Sequence, residues 1–359
     1  MVKIVTVYND WRRRFDPTDM SYIRWLKISE ALARRGHQVD IATNELRWLA
    51  RRAPIPMAKN LRRVSLASVR WNDYDVVKTL FHIGFDTLET YGGCEHPFII
   101  SKLGSVVAPY DREGIYFYGK ARAKLFDVQK KINDASRYIT LLSRPAEALW
   151  REYIDTHKEI LIVPGGVDAD ISQPRRDPFP KQMGKRCLFA GNIYGQNSQP
   201  EANRVLVTKL NQLGRLLTDR GSRLYLLGSG DVSGLDRDCV TYLGAAPYNE
   251  SWDYFHYADV GIVVSAGVHH NNESSKIYHY LRAGLPVVSE AGFPNDDVIV
   301  EARLGFVVDN GNLELMAKKV EEAAHKEWDC YHAVNYILNK HTWDKRADVY
   351  DNVFKDHFA

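Results

Sequence analysis

The 359-residue chain is poor in cysteine, and none of its four cysteines is close enough to another to form a CxxC pair. Cys94, Cys187, Cys239 and Cys330 therefore suggest neither a zinc site nor a disulfide scaffold, and scattered thiols suit a reducing compartment. No apolar run is long enough to span a bilayer. The apolar stretch near the amino terminus, 4–7, is also too short for the core of an export signal, so a cytoplasmic location is expected. There is no tandem repeat and no low-complexity tract. No G-x-G-x-x-G follows the first strand pattern, which disfavours a dinucleotide-dependent oxidoreductase.

Net charge is also scarce, at +3, but it is unevenly placed. Residues 1–165 carry a net +8 and the remainder a net −5. One half is thus suited to an anionic partner, unless the imbalance is only a solvated surface. A chain of this length is comfortable for two cores.

Apolar patterning predicts two successive α/β runs. Residues 3–9 read as a buried strand, 22–35 as an amphipathic helix with Ser21 to cap it and Gly36 to end it, and 38–42 as a second strand. Strand, helix, strand within some forty residues is a βαβ unit and predicts a parallel sheet. Further strands are expected at 76–81, 98–100, 138–142 and 160–163. A second series begins at 186–190 and alternates through to a helix at 313–326. Three prolines between Gln173 and Pro180 mark the join, since they continue neither a helix nor a central strand. The expected fold is α/β: two doubly wound Rossmann-like domains facing each other across a cleft. Their expected bounds are 1–166 for an acceptor-binding domain, 167–183 for a linker and 184–340 for a nucleotide-sugar domain. A closing helix, 341–359, is expected to cross back to the first domain.

Several segments resemble the GT-B glycosyltransferases, and among them family 4. Residues 135–143 followed by Ile162-Val163-Pro164-Gly165-Gly166-Val167-Asp168 resemble the end of the family's first domain. Leu226-Leu227-Gly228-Ser229-Gly230 resembles its glycine turn, and Tyr257-Ala258-Asp259-Val260-Gly261-Ile262 the strand before its donor loop. The most specific match runs from Ser274 through Ser275, Lys276 and His279 to Val288. His341-Thr342-Trp343 resembles the start of the family's closing helix.

The resemblance implies transfer of a sugar from a UDP- or GDP-sugar, with retention of configuration and with neither metal nor further cofactor. Ser274 and Ser275 would cap a helix whose amino end faces the diphosphate, and Lys276 would place a full charge there. Gly191, Asn192, Gly228 and Gly230 complete the implied donor contacts, the glycines by letting backbone approach closely. The family usually holds two carboxylates eight residues apart. Here Asn271 and His279 stand at those positions, with Glu273 nearby as a catalytic candidate. His279 is equally readable as a packed helix residue. Asn192 replaces the arginine many relatives carry after Gly191. Were the reaction inverting, a base would have to come from the first domain, and His82 or Asp111 is available. Arg12, Arg13, Arg14 and Asp16, in the loop after the first strand, are the candidates for acceptor contacts; the arginine triplet is equally readable as a plain exposed loop. His269 and His270 have no third ligand at sensible spacing, so a metal is not inferred.

Residues 46–72 contain seven basic residues and no acidic one: Arg47, Arg51, Arg52, Lys59, Arg62, Arg63 and Arg70. Interleaved with Trp48, Leu49, Ile55, Met57 and Leu61, they suit an anionic membrane surface, hence a lipid-linked or cell-envelope saccharide acceptor. A solvated loop and a nucleic-acid surface are the alternatives, the last because some GT-B enzymes glucosylate DNA bases. A non-catalytic nucleotide- or sugar-binding protein on the same fold also remains open, because His279 stands where a carboxylate is usual.

Overall fold

The computed structural model describes residues 1–8, 16–44, 54–110, 119–181, 184–267 and 271–358. The predicted alternation becomes two sheets, each at the centre of its own compact unit. In the first run, β1 (Lys3–Val7), α1 (Met20–Arg34) and β2 (Gln38–Thr43) form the expected βαβ unit. They are followed by β3 (Ile55–Ala58), β4 (Leu61–Ser65), β5 (Val76–Leu80), α2 (Phe81–Thr90), β6 (Ile99–Lys102), α3 (Gly119–Ala135), β7 (Tyr138–Leu141), α4 (Arg144–Tyr153) and β8 (Ile160–Ile162). The sheet order is β3-β4-β2-β1-β5-β6-β7-β8, parallel except for the antiparallel β3–β4 pair.

The second run is β9 (Lys185–Ala190), α5 (Pro200–Thr218), β10 (Ser222–Leu227), β11 (Val240–Gly244), α6 (Tyr248–Tyr257), β12 (Val260–Val263) and α7 (Ser275–Arg282). It closes with β13 (Val287–Glu290), α8 (Asp297–Ala302), β14 (Gly305–Val308), α9 (Leu313–His325) and α10 (Cys330–Lys340). Its sheet is wholly parallel, in the order β11-β10-β9-β12-β13-β14. Val167–Thr342 belongs to this unit, whereas the last helix, α11 (Trp343–Phe358), belongs to the first.

Strand order reverses between β1 and β5 in the first sheet and between β9 and β12 in the second. In open α/β sheets such reversals leave a crevice at the carboxyl ends of the strands, where ligands bind. Of the strands that flank these points, β1, β5 and β12 are almost fully buried on both faces, as sheets covered by helices require, and β9 is buried over Cys187–Phe189.

Local chemistry differs from expectation in three places. Asp19, not Ser21, caps α1: its carboxylate accepts from the Ser21 N–H at 2.8 Å, while Gly36 turns left-handed past the helix end at φ +91°. Phe81 does not extend β5 but opens α2 in a left-handed conformation, φ +59°, which a bulky residue adopts only under constraint from its surroundings. Its ring lies edge-on to Tyr8 at 5.9 Å and against Gly104, which has no side chain to oppose it. Third, part of the basic segment 46–72 is sheet. Arg62 on β4 donates to both carboxylate oxygens of buried Asp40, its register partner on β2, at 2.7 and 2.6 Å. The Tyr74 hydroxyl joins that carboxylate at 2.8 Å. Arg62 is thus committed to a cross-strand ion pair, whereas Lys59 and Arg70 are exposed. Arg47, Arg51, Arg52, Trp48 and Leu49 lie outside the described residues.

One cation sits where an apolar side chain would be expected. Lys78, in the middle of β5, is 1% exposed and lies under the Tyr350 ring of α11, with Nζ 4.8 Å from the ring centre. Desolvation pushes its pKa down to about 7. Among the described residues no helix is long and apolar enough to cross a membrane.

Candidate functional site

At the carboxyl end of β9 the chain passes through Gly191, whose N–H donates to Leu227 O at 2.8 Å. The neighbouring strand β10 ends in Gly228-Ser229-Gly230, and the two turns run backbone against backbone. Ile193 N–H donates to Ser229 O at 2.8 Å. A Cβ on Gly228 would lie 2.1 Å from Gly191 O, and one on Gly230 1.9 Å from Ile193 O, so neither position has room for a side chain. Gly230 also requires φ +117°, a conformation open to glycine. Asn192 fastens the same pair of turns: its side-chain oxygen accepts from the Ser229 N–H and hydroxyl, both at 3.0 Å.

The amino end of α7 meets this glycine floor. A Cβ on Gly191 would stand 2.6 Å from Lys276 Cε and 3.1 Å from its Nζ, so Gly191 leaves the space that the lysine occupies. The ammonium also lies 5.0 Å from the Phe189 ring centre, an attraction between cation and ring quadrupole. One turn further on, Tyr280 reaches under β9. Its hydroxyl donates to Leu188 O at 3.0 Å and accepts from Ala190 N at 2.7 Å. Burial pushes that phenol's pKa far up, so it stays a neutral donor.

Ser274 is the residue that precedes α7, but its side chain makes no capping bond. Its backbone is held instead by Asn295: Ser274 N–H donates to Oδ1 at 2.9 Å and Asn295 Nδ2 donates back to Ser274 O at 3.0 Å. The Ser274 hydroxyl is left with no protein partner although the residue is only 5% exposed. A buried hydroxyl is normally hydrogen-bonded, so this one is an exception among the groups of the turn. Helix amino end, lysine and close-set glycine backbone thus lie together beyond the ends of β9 and β10, an arrangement, called the cradle below, that can hold anionic oxygens.

The other predicted residues fall into separate places. Glu273 accepts from the Tyr278 hydroxyl at 2.7 Å. His279 is a packing residue: it is 4% exposed and ringed by Tyr248, Trp252 and Phe255 of α6 at 5.6, 5.5 and 6.3 Å. Its Nδ1 bonds Ser275 O at 2.6 Å, the carbonyl one helical turn back. In the first unit, His82 lies in the first turn of α2 rather than at a strand end, and burial lowers its pKa so that the ring is neutral. Asp16 forms a local turn into α1, accepting from the Thr18 N–H and hydroxyl at 2.9 and 2.6 Å. Arg12, Arg13, Arg14, Asp111, His269 and His270 lie outside the described residues.

The sequence reading missed Asn295 and Tyr280, which act on the cradle from the turn after β13 and from the far side of α7. Tyr280 had a signal, since it shares the Ser274–Val288 segment with Lys276. Asn295 had none.

No known family profile matches the chain, and no curated protein matches it. Solved structures do. Sucrose-phosphate synthase from Thermosynechococcus elongatus is 14% identical over 100% of this chain and 99% of its own, with a TM-score of 0.72. WaaG, a glycosyltransferase involved in lipopolysaccharide biosynthesis, is 14% identical over the whole of both chains, with a TM-score of 0.64. Anabaena HepE, solved in complex with UDP, is 10% identical over 99% of this chain and all of its own, with a TM-score of 0.66. The chain thus has the fold of the GT-B glycosyltransferases, two parallel-sheet α/β domains.

Proposed function

We propose that this chain is a glycosyltransferase of family 4 type, which moves a hexose-type sugar from a UDP- or GDP-sugar held by the second unit to an acceptor held by the first. The observation that carries this reading is the amino end of α7. There Lys276 lies against Gly191, beside the turn at Gly228 and Gly230, and Ser274 immediately precedes the helix. Fold likeness to sugar-transferring enzymes, one of them solved with UDP, supports reading the anion as the diphosphate of a nucleotide sugar.

In the proposed reaction the glycosidic bond between the anomeric carbon and the β-phosphate oxygen breaks while the acceptor hydroxyl forms the new one. Lys276 and the helix amino end take up the charge that develops on the departing diphosphate. That diphosphate accepts the hydroxyl's proton, which is the retaining course. Gly228, Gly230 and Asn192 shape the floor under it, Ser275 adds its backbone at the helix start, and Glu273 lies beside the sugar end. His82, neutral at the start of α2, and Arg12, Arg13, Arg14, Asp16 and Asp111 belong to the acceptor side of this reading.

For the acceptor we propose a lipid-linked or cell-envelope saccharide, met at an anionic membrane surface through residues 46–72. The exposed Lys59 and Arg70 support this; Arg62, paired with Asp40, does not contribute.

The test is release of nucleoside diphosphate from UDP- and GDP-hexoses in the presence of saccharide acceptors, with the product's anomeric configuration read by NMR. Retained configuration in a new glycoside supports the proposal. Nucleotide binding with no turnover of any donor would instead make the chain a nucleotide-binding protein on this fold.

A further inference from the structure

We infer that Asn295 and Glu290 are positioning residues for the anion cradle, holding the two ends of the connection that runs from β12 to α7. The inference rests on the donor site proposed above and adds residues to it.

A serine that precedes a helix ordinarily spends its hydroxyl on the first-turn N–H groups. Ser274 does not. Both hydrogen-bonding groups of its backbone are taken by one side-chain amide, that of Asn295. The amide fixes the peptide that enters α7 and so aims the helix start while leaving the hydroxyl unspent. Asn295 is itself held. The next residue, Asp296, accepts from the N–H groups of Gly292 and Phe293 at 2.7 and 3.0 Å, which closes the turn carrying the amide.

The other end of the connection is tied from the same strand. Glu290, the last residue of β13, is 0% exposed. Its Oε2 accepts from Ser265 N–H at 2.7 Å, just beyond the end of β12. Its Oε1 accepts from Gly311 N–H at 2.9 Å, in the turn after β14. Lys209 of α5 donates to both oxygens at 2.7 and 2.9 Å and to Asn310 Oδ1 at 2.9 Å. A buried carboxylate is costly unless paired and fully hydrogen-bonded. Here that condition is met, and one of the bonds goes to the backbone of the connection leading into the site. Residues 290 and 295 thus hold both ends of the β12–α7 connection from a single segment.

The experiment measures binding of UDP and uridine, and of GDP and guanosine, to the native chain, Asn295→Ala, Asn295→Asp and Glu290→Gln, with folding checked by circular dichroism. A residue that only supports the fold lowers nucleoside and diphosphate affinity together. A residue that aims the helix start lowers the diphosphate's alone. We expect Asn295→Ala to raise the diphosphate Kd about tenfold and leave the nucleoside Kd within about twofold. Asn295→Asp, which keeps the acceptor for Ser274 N–H but faces Ser274 O with a carboxylate, should behave likewise if it folds. Glu290→Gln should shift the diphosphate Kd in the same direction by a smaller factor. Unchanged diphosphate affinity in folded variants, or equal losses for diphosphate and nucleoside, overturns the positioning role alone. Failure of the native chain to bind either diphosphate overturns the donor site and this inference with it.

Discussion

The two sheets each reverse their strand order once and differ in what stands at that reversal. In the second unit the ends of β9 and β10 are stripped of side chains at Gly191, Gly228 and Gly230, and the helix opposite brings Lys276 and a spare hydroxyl. In the first unit the described residues at the equivalent place are aromatic and packed together. Tyr8 packs edge-on to Tyr22, Trp25 and Phe81 at 5.1, 5.7 and 5.9 Å, and Trp25 Nε1 donates to Thr6 Oγ1 at 2.8 Å. Among the described residues Gly84 lets backbone approach there: a Cβ on it would meet Val7 O at 2.8 Å. Lys78 of the first unit is sealed under α11, whereas Lys276 of the second lies against Gly191. The difference teaches that a strand reversal supplies only a place. Glycine and a nearby lysine leave it open in the way the proposed anion site requires, and aromatic rings make it core.

Substitutions on either side can break or sharpen this contrast. The largest effect is expected at Lys78, through pH. Its ammonium titrates near 7 in the fold and near 10.5 when exposed, so between those values the unfolded chain holds the extra proton. Stability from this group therefore rises with pH across the window, and the full cost of burial is present below about pH 7. Lys78→Met should remove that slope and stabilise the protein at pH 7 by on the order of 4 kcal/mol in denaturant melts. An unchanged slope would mean that the ammonium is solvated after all.

Gly230→Ala follows. Its Cβ would drive into Ile193 O at a left-handed φ, so the turn must move, at a cost of roughly 3 kcal/mol, with loss of nucleotide binding. Gly191→Ala should separate stability from binding. The new methyl meets the far end of the Lys276 chain, which can swing away. Stability should then change by less than about 0.5 kcal/mol while nucleoside diphosphate affinity falls about tenfold. The smallest effect is expected for His279→Phe, which keeps the aromatic packing and forfeits the bond to Ser275 O, for about 1 kcal/mol of stability. Affinity for a nucleotide should not move. If it falls sharply in calorimetric titration, His279 touches the ligand and the packing role given to it is wrong.

Much of the fold was legible because strands buried on both faces leave short apolar runs between helical patterns, as in Lys3–Val7 and Val260–Val263. What was not legible depends on partners distant in sequence. The β3–β4 pair was hidden under prolines and arginines, and Arg62 looks like surface charge until Asp40, 22 residues earlier, is seen beside it. Nothing in the composition announces that Phe81 should turn left-handed, since the constraint comes from Tyr8 and Gly104. At the proposed site, Ser274, Lys276 and the glycines were singled out through resemblance, and the structure brings Lys276 against Gly191. The buried state of His279 needed α6, some thirty residues upstream, and Asn295 acts from 21 residues downstream of the serine it holds.

The central claim is that the amino end of α7 binds a nucleoside diphosphate through Lys276. Thermal unfolding of the native chain and of Lys276→Ala, each with UDP, GDP, ADP and TDP, tests it most directly. A ligand at a hundredfold its Kd adds about 2.7 kcal/mol, so one nucleotide should raise the native midpoint clearly. Lys276→Ala should melt like the native chain when alone and lose most of that gain. No shift with any nucleotide at millimolar concentration, or an equal shift in both proteins, would contradict the account.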